Sequence, residues 1–189
     1  MLIRENKSTL HSLYLSEFPG RLFKSAVLKC VQLKKLGFWN ARFKNEKEIS
    51  YIINNIPLTV EKLQLGGYAS MIHHIEDSHI KVLVDRCKNL KSLTVSITKA
   101  TEKSLTYITR KLKFLEVLDI HFRIKDSDFD KLLLLPKLKR FVCRYKDHGD
   151  SMTEEEKEFL KLQLPHLKTI EYNATRAILT CEFMENLER

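Results

Sequence analysis

LKSLTV at residues 90–95 carries the pattern L-x-x-L-x-L, which recurs along the chain with conservative replacements. Copies begin at Leu10 (LHSLYL), Leu33 (LKKLGF), Val60 (VEKLQL), Leu90, Leu115 (LEVLDI), Leu138 (LKRFVC) and Leu167 (LKTIEY), at intervals of 23, 27, 30, 25, 23 and 29 residues. Self-similarity at such a period marks a solenoid. One unit cannot bury its apolar face alone, so stacked neighbours share a core and leave a sheet face free for a partner.

Within each copy the two inner apolar residues alternate with variable ones, as in Leu93-Thr94-Val95-Ser96, which is the period of a half-buried strand. Between copies the period becomes helical: Ile49, Ile52, Ile53 and Ile56; Ile80, Leu83 and Val84; Leu105, Ile108 and Leu112; Phe129, Leu132 and Leu133; Phe159, Leu160 and Leu164. Asn45-Glu46-Lys47-Glu48 and Thr153-Glu154-Glu155-Glu156 place a side-chain acceptor at a helix start and a carboxylate three residues on. Thr101-Glu102 and Ser127-Asp128 do so more loosely. Pro57, Pro136 and Pro165 close helices just ahead of the next strand. The predicted fold is α/β: about seven units, with a parallel sheet on the concave side and helices on the convex side.

The chain has 189 residues, 43% hydrophobic and 30% charged, which is enough for one elongated domain over residues 1–189, or for a fragment of a longer protein. The longest uncharged apolar stretch, Leu132 to Leu135, falls far short of the roughly 20 residues that span a bilayer. The N-terminal MLIRENKSTL has no secretory apolar region. The expectation is an intracellular protein, cytoplasmic or nuclear, with no membrane partner. Cys30, Cys87, Cys143 and Cys181 show no C-x-x-C spacing and read as thiols of a reducing compartment, the first two in the core. Of the net charge of +9, residues 1–100 carry 16 Lys+Arg against 8 Asp+Glu, and residues 101–189 carry 17 against 16. A basic first half could meet nucleic acid, an acidic protein or an anionic membrane surface; a lysine-rich solvated surface reads the same way.

If Leu13 and Leu15 point into the core, the residues between and beside them point out of the concave face. Carried through every copy, the offset gives three columns. The first reads Ser12, Lys35, Lys62, Ser92, Val117, Arg140 and Thr169; the middle Tyr14, Gly37, Gln64, Thr94, Asp119, Val142 and Glu171; the third Ser16, Trp39, Gly66, Ser96, His121, Arg144 and Asn173. Trp39 is the only tryptophan and either projects from this face, where tryptophan and arginine concentrate binding energy, or packs near Phe43. His121 and Arg144 on neighbouring rungs, flanked by Asp119 and Arg140, suggest a polar subsite or simply a polar exposed sheet. The candidate partner-binding residues are Tyr14, Lys35, Trp39, Lys62, Gln64, Asp119, His121, Arg140 and Arg144. His73, His74 and His79 with Glu76 and Asp77 have the residue types of a metal site but no ligand spacing, and read as a polar loop. With no phosphate-binding loop, nucleophile elbow or zinc-protease motif, the sequence predicts no enzyme, no cofactor and no metal.

Units near this length, each with a helix, together with Cys30-Val-Gln-Leu33 and Cys87-Lys-Asn-Leu90 at the helix-to-strand corner, resemble the ribonuclease-inhibitor-like class of leucine-rich repeats. More narrowly they look like the cysteine-containing repeats of F-box/LRR proteins. The resemblance runs from Leu10 to about Thr175. It implies a leucine-rich repeat solenoid that recognises protein substrates for a ubiquitin ligase; a basic repeat domain binding nucleic acid, or a structural subunit, is the alternative reading. The chain departs from that family where an asparagine or cysteine usually follows the last strand leucine; Phe18, Ala41, Tyr68, Thr98, Arg123, Lys146 and Thr175 stand there. The residues before Leu10 are too few for an F-box, so a ligase adaptor is expected as a partner only if that module lies outside this chain.

Overall fold

The computed structural model describes residues 8–17, 23, 27–41, 43, 45–66, 75–95, 99–122, 124–144 and 152–172. The repeat copies become strands: β1 (Ser12–Glu17), β2 (Lys35–Ala41), β3 (Lys62–Leu65), β4 (Ser92–Val95), β5 (Val117–Ile120), β6 (Arg140–Cys143) and β7 (Thr169–Tyr172). They form one seven-stranded sheet in chain order, each strand parallel to the next. Register runs Ser12, Lys35, Lys62, Ser92, Val117, Arg140, Thr169 along one row and Tyr14, Gly37, Gln64, Thr94, Asp119, Val142, Glu171 along another, so the first and middle columns read from the repeat are columns of the sheet; of the third, Ser16 pairs with Trp39, and Ser96 and Asn173 lie outside the described residues. Parallel neighbours require a crossover. Here the crossovers carry α1 (Glu46–Asn54), α2 (Asp77–Arg86), α3 (Glu102–Lys111) and α4 (Glu154–Gln163), with 3-10 helices η1 (Val27–Lys29) and η2 (Asp126–Leu134).

Leu13, Leu36, Leu63, Leu93, Leu118 and Phe141 face the helices in one buried row, and Leu15, Phe38, Leu65, Val95, Ile120 and Cys143 in the next. Each such side chain contributes roughly 1.5–3 kcal/mol through removal from water. Phe23, Phe38 and Phe43 stack the core at the N-terminal end, with ring centroids 6.1 and 6.0 Å apart. At the other end Ile170 and Tyr172 are only partly buried against the same core. Cys30, Cys87 and Cys143 are buried, and burial pushes the Cys87 thiol up to about 11, as suits a packing group.

The helix starts follow the capping signals. Asn45 Oδ1 accepts the Glu48 amide at 3.0 Å, and Thr153 and Glu156 exchange bonds of 3.2 and 2.7 Å. Two segments differ from the periodicity. Residues 126–134 form a 3-10 helix rather than an α-helix, started by Asp128, whose carboxylate accepts the Lys125 amide at 2.9 Å, and not by Ser127. In α4 the side chain of Phe159 is exposed while Leu160 is buried, so only part of that helical pattern faces the core. A second link ties neighbouring units: Asp77 at the start of α2 accepts from the Thr101 amide (2.9 Å), the Thr101 hydroxyl (2.6 Å) and the Ser104 hydroxyl (2.6 Å). Burial alone would raise the Asp77 pKa, and these hydrogen bonds outweigh it and lower it.

Every helix-to-strand corner is a tight turn. Amides of Leu33, Val60, Leu90, Leu115, Leu138 and Leu167 each bond the carbonyl three residues back. The central pairs are Val31-Gln32, Leu58-Thr59, Lys88-Asn89, Lys113-Phe114, Pro136-Lys137 and Pro165-His166. Because all strands run the same way, these turns share one edge of the sheet and the helix starts lie toward the other. The residue after each core-opening position stacks on its neighbour by backbone bonds, giving the row His11, Lys34, Glu61, Lys91, Glu116, Lys139, Lys168. Its side chains alternate in sign over much of that row: Lys34 and Lys91 grip Glu61 at 2.8 and 2.7 Å, and Lys139 grips Glu116 at 2.7 Å. The Lys34 bond, then the Lys91 bond, hold the Glu61 carboxyl at about 2.

Candidate functional site

The concave face divides into two parts. At the β1–β3 end, the Tyr14 ring lies over Gly37: a Cβ built on that glycine would meet ring carbons at 2.3 and 2.5 Å. With the ring in this place only glycine fits beneath it, and the ring in turn covers the bare backbone. Burial raises the Tyr14 pKa, although the residue remains 38% exposed. Lys35 is half-buried and Lys62 beside it is exposed, in register on adjacent strands. Lys62 has no ion pair among the described residues.

Gln64 does not stand out of the face as the column position alone suggests. It is buried, its Nε2 donates to the Gly66 carbonyl at 3.1 Å, and its Oε1 is a buried acceptor without a hydrogen bond. Gly66 is the residue that turns the chain out of β3, with φ of 100°, a left-handed backbone that glycine adopts without strain. Trp39 lies in β2, paired in register with Ser16, but its side chain is outside the described residues, so neither of its two orientations is decided.

At the β5–β7 end the polar residues are engaged with one another. Arg144 closes on Asp119 through Nε at 3.2 and 3.3 Å and Nη2 at 3.3 Å. The Arg144 side chain is 5% exposed, and its Nη1 is buried with no hydrogen bond. His121 Nε2 stands 3.3 Å from the same Asp119 carboxylate. On the other side of β6, Arg140 reaches forward to Glu171 at 2.8 Å. Val142 sits between the two arginines in the middle column and is fully covered. Asp119 and Arg144 come from neighbouring strands, as do Arg140 and Glu171, so the sheet register builds both pairs. Two arginines against two carboxylates leave this end formally neutral unless His121 is protonated.

The sequence columns thus bring Tyr14, Lys35, Lys62 and Gln64 to one end and Asp119, His121, Arg140 and Arg144 to the other. Glu171 belongs with the second group although it was not a candidate. Its signal was its place one rung from Arg140. The charged row along the turn edge was also missed, although the second position of each repeat copy holds it. Of the histidine-rich segment, His73 and His74 lie outside the described residues. His79 is buried in α2, where its Nδ1 accepts the Glu76 amide at 3.2 Å and its Nε2 meets Ser50 Oγ at 3.0 Å. Asp77 is taken up by Thr101 and Ser104, as described, so these side chains serve the packing of α2. Among the described residues there is no cluster of three metal-ligating side chains and no helix long and apolar enough to cross a membrane. Residues 67–74, 145–151 and 173–189 also lie outside the described residues.

No family model matches the chain, and no curated protein matches it. Among solved structures, internalin C2 from Listeria monocytogenes is similar over 92% of this chain and 68% of its own, with 16% identity and a TM-score of 0.50. An internalin from the same organism is similar over 92% of this chain but 46% of its own length, with 13% identity and a TM-score of 0.49, so this chain spans about half of it. The leucine-rich repeat-containing protein LegL7 from Legionella pneumophila aligns over 90% of this chain and 77% of its own, with 17% identity and a TM-score of 0.36. The likeness to internalin C2 is one of fold, and with the repeat pattern and the parallel sheet it makes this chain a leucine-rich repeat solenoid.

Proposed function

We propose that the chain is a non-catalytic protein-recognition module that takes its partner on the concave face, at the β1–β3 end. The observation that carries this is the contrast in availability across one sheet. Lys62 is exposed with no ion pair among the described residues and shares the concave face with Tyr14, two strands away, whereas both arginines at the other end are bound to carboxylates. An extended protein segment with an acidic side chain fits such a surface: Lys62 supplies the charge and Tyr14 a rigid aromatic contact of the kind that concentrates binding energy. A photoreactive side chain placed at position 62 should form a discrete adduct with a partner protein in the native cell, and the same group at Lys103 on α3 should not. Equal labelling from both positions would remove the concave reading.

The finer reading, substrate-binding repeats of an F-box/LRR ubiquitin-ligase receptor, is supported by the corner cysteines Cys30 and Cys87, both buried. It rests on that resemblance alone. Co-purification of the native full-length protein with the F-box-binding adaptor supports it, and a full-length protein that does not bind the adaptor ends it. The nucleic-acid reading has weaker support, because Lys34 and Lys91 of the basic first half are held by Glu61.

A further inference from the structure

We infer that the turn edge of the solenoid is a peripheral docking surface for an anionic lipid bilayer. In the fold, charge is sorted by edge rather than by half of the sequence. The first turns of the α-helices hold Glu46 and Glu48, Asp77, Glu102, and Glu154 to Glu156, all toward the edge where strands end. The last turns hold Arg86, Arg110, Lys111 and Lys161, toward the edge where strands begin, with Lys111 paired to Asp85 at 3.0 Å and Lys161 to Glu158 at 2.7 Å. That much answers the helix macrodipole, which favours cations at C-termini, and because the crossover helices run parallel the preference sums along the solenoid.

The macrodipole does not account for what lies beyond the helices on the same edge. None of the turn-tip residues is acidic, and Lys88, Lys137 and Lys168 add positive charge outside any helix. The acids of the stacked row, Glu61 and Glu116, are each neutralised by lysine. Between these cations the tips expose large apolar side chains: Val31 at 66%, Leu58 at 57% and Phe114 at 49%. Lys137 Nζ lies 4.6 Å from the Phe114 ring centroid, so cation and ring project together. With neighbouring strands about 4.8 Å apart, the six tips make a row roughly 24 Å long.

A phosphate backbone would use the lysines and leave Val31 and Leu58 without a role. Nucleic-acid surfaces offer aromatic side chains for stacking, and here the tips carry the Phe114 ring, already covered by a lysine, and the His166 imidazole, fewer than the three apolar tips. An anionic bilayer uses both components: lysines meet headgroup phosphates and carboxylates, while valine, leucine and phenylalanine enter the boundary of the acyl region. The absence of a membrane-crossing helix bears on spanning, not on lying against the surface.

The test is sedimentation of the full chain with vesicles of pure phosphatidylcholine and with equimolar phosphatidylserine and phosphatidylcholine. Binding is expected to the anionic vesicles alone and to weaken with added salt. Lys88→Glu with Lys137→Glu should weaken it at least about tenfold, since each lysine near such a surface is worth severalfold. Leu58→Ser with Phe114→Ser should weaken it at unchanged charge, which separates insertion from simple ion attraction. Circular dichroism checks that these exposed changes leave the fold intact, and Glu154→Lys on the opposite edge serves as the charge control. Absent binding to the anionic vesicles, binding indifferent to both pairs of edge changes, or tighter binding to duplex DNA or RNA than to the vesicles at equal salt, would overturn the proposal.

Discussion

At the β2–β3 end of the concave face, lysines stand beside a bare glycine under a tyrosine ring; at the β5–β7 end, Arg144, Asp119, Arg140 and Glu171 bind one another over a covered valine. Both ends rest on the same leucine rows and the same register. The difference teaches that a repeat fixes where a side chain projects from, and that its neighbours fix whether a partner can reach it. An arginine beside a carboxylate one strand away is spent on the fold, whereas Lys62, exposed and with no ion pair among the described residues, is not.

That contrast is first sharpened by showing that the cores beneath are equal. Leu36→Ala and Leu118→Ala should each cost about 2–5 kcal/mol, read from urea midpoints, because both side chains are buried and leave cavities. A cost well below about 2 kcal/mol at one end alone would mean that the two ends differ in packing and not just in surface. Next, Asp119→Ala should cost about 3 kcal/mol, since it strands a buried guanidinium. Adding Arg144→Leu should recover part of that loss, and a double-mutant cycle that finds no coupling would dissolve the closed end. Truncating Arg144 to probe binding is therefore confounded by stability, unlike truncating Lys62.

At the open end, Gly37→Ala should cost about 1 kcal/mol, because the new methyl must displace the Tyr14 ring, which is partly exposed and able to move. The tyrosine near-ultraviolet dichroism should fall with it. Smaller still, Glu61→Gln should cost about 0.5–1 kcal/mol at neutral pH, as expected for partly exposed ion pairs. The Glu61 pKa is depressed in the fold, from 4.5 to about 2, so its contribution is complete above the ordinary carboxylate range and is lost as pH falls through that interval. The gap between wild type and Glu61→Gln should close over that interval, and a gap that instead widened on acidification would contradict the ion-pair row. Lys62→Ala should change stability by less than about 0.5 kcal/mol, the mark of a surface position.

Much of this architecture was legible. The alternation around Leu93 and Val95, carried from copy to copy, predicts the row from Ser12 to Thr169 as it stands, with one shift at the end of β1 between Ser16 and Glu17, because a one-residue error in the core rows would turn every core leucine to solvent. The caps at Asn45 and Thr153 were readable because they need only local chemistry. Burial on the concave face was not readable. Asp119 is hidden by a contact with the next strand, which no single repeat contains, and Gln64 by folding back on the Gly66 carbonyl, which an alternating pattern does not encode. The 3-10 helix at 126–134 escaped for a related reason, since its apolar spacing suits either helix. Sorting of charge by edge was invisible in a count by halves, because each unit contributes to both edges.

The alternating row of Lys34, Glu61, Lys91, Glu116 and Lys139 imposes a parity on how this gene could lengthen or shorten. Removing any one interior unit of the row would set two like charges in contact at the new junction, while removing two adjacent interior units would restore attraction. Growth by duplicated pairs is thus electrostatically silent along this row, and growth by single units carries a repulsion that a compensating substitution must relieve.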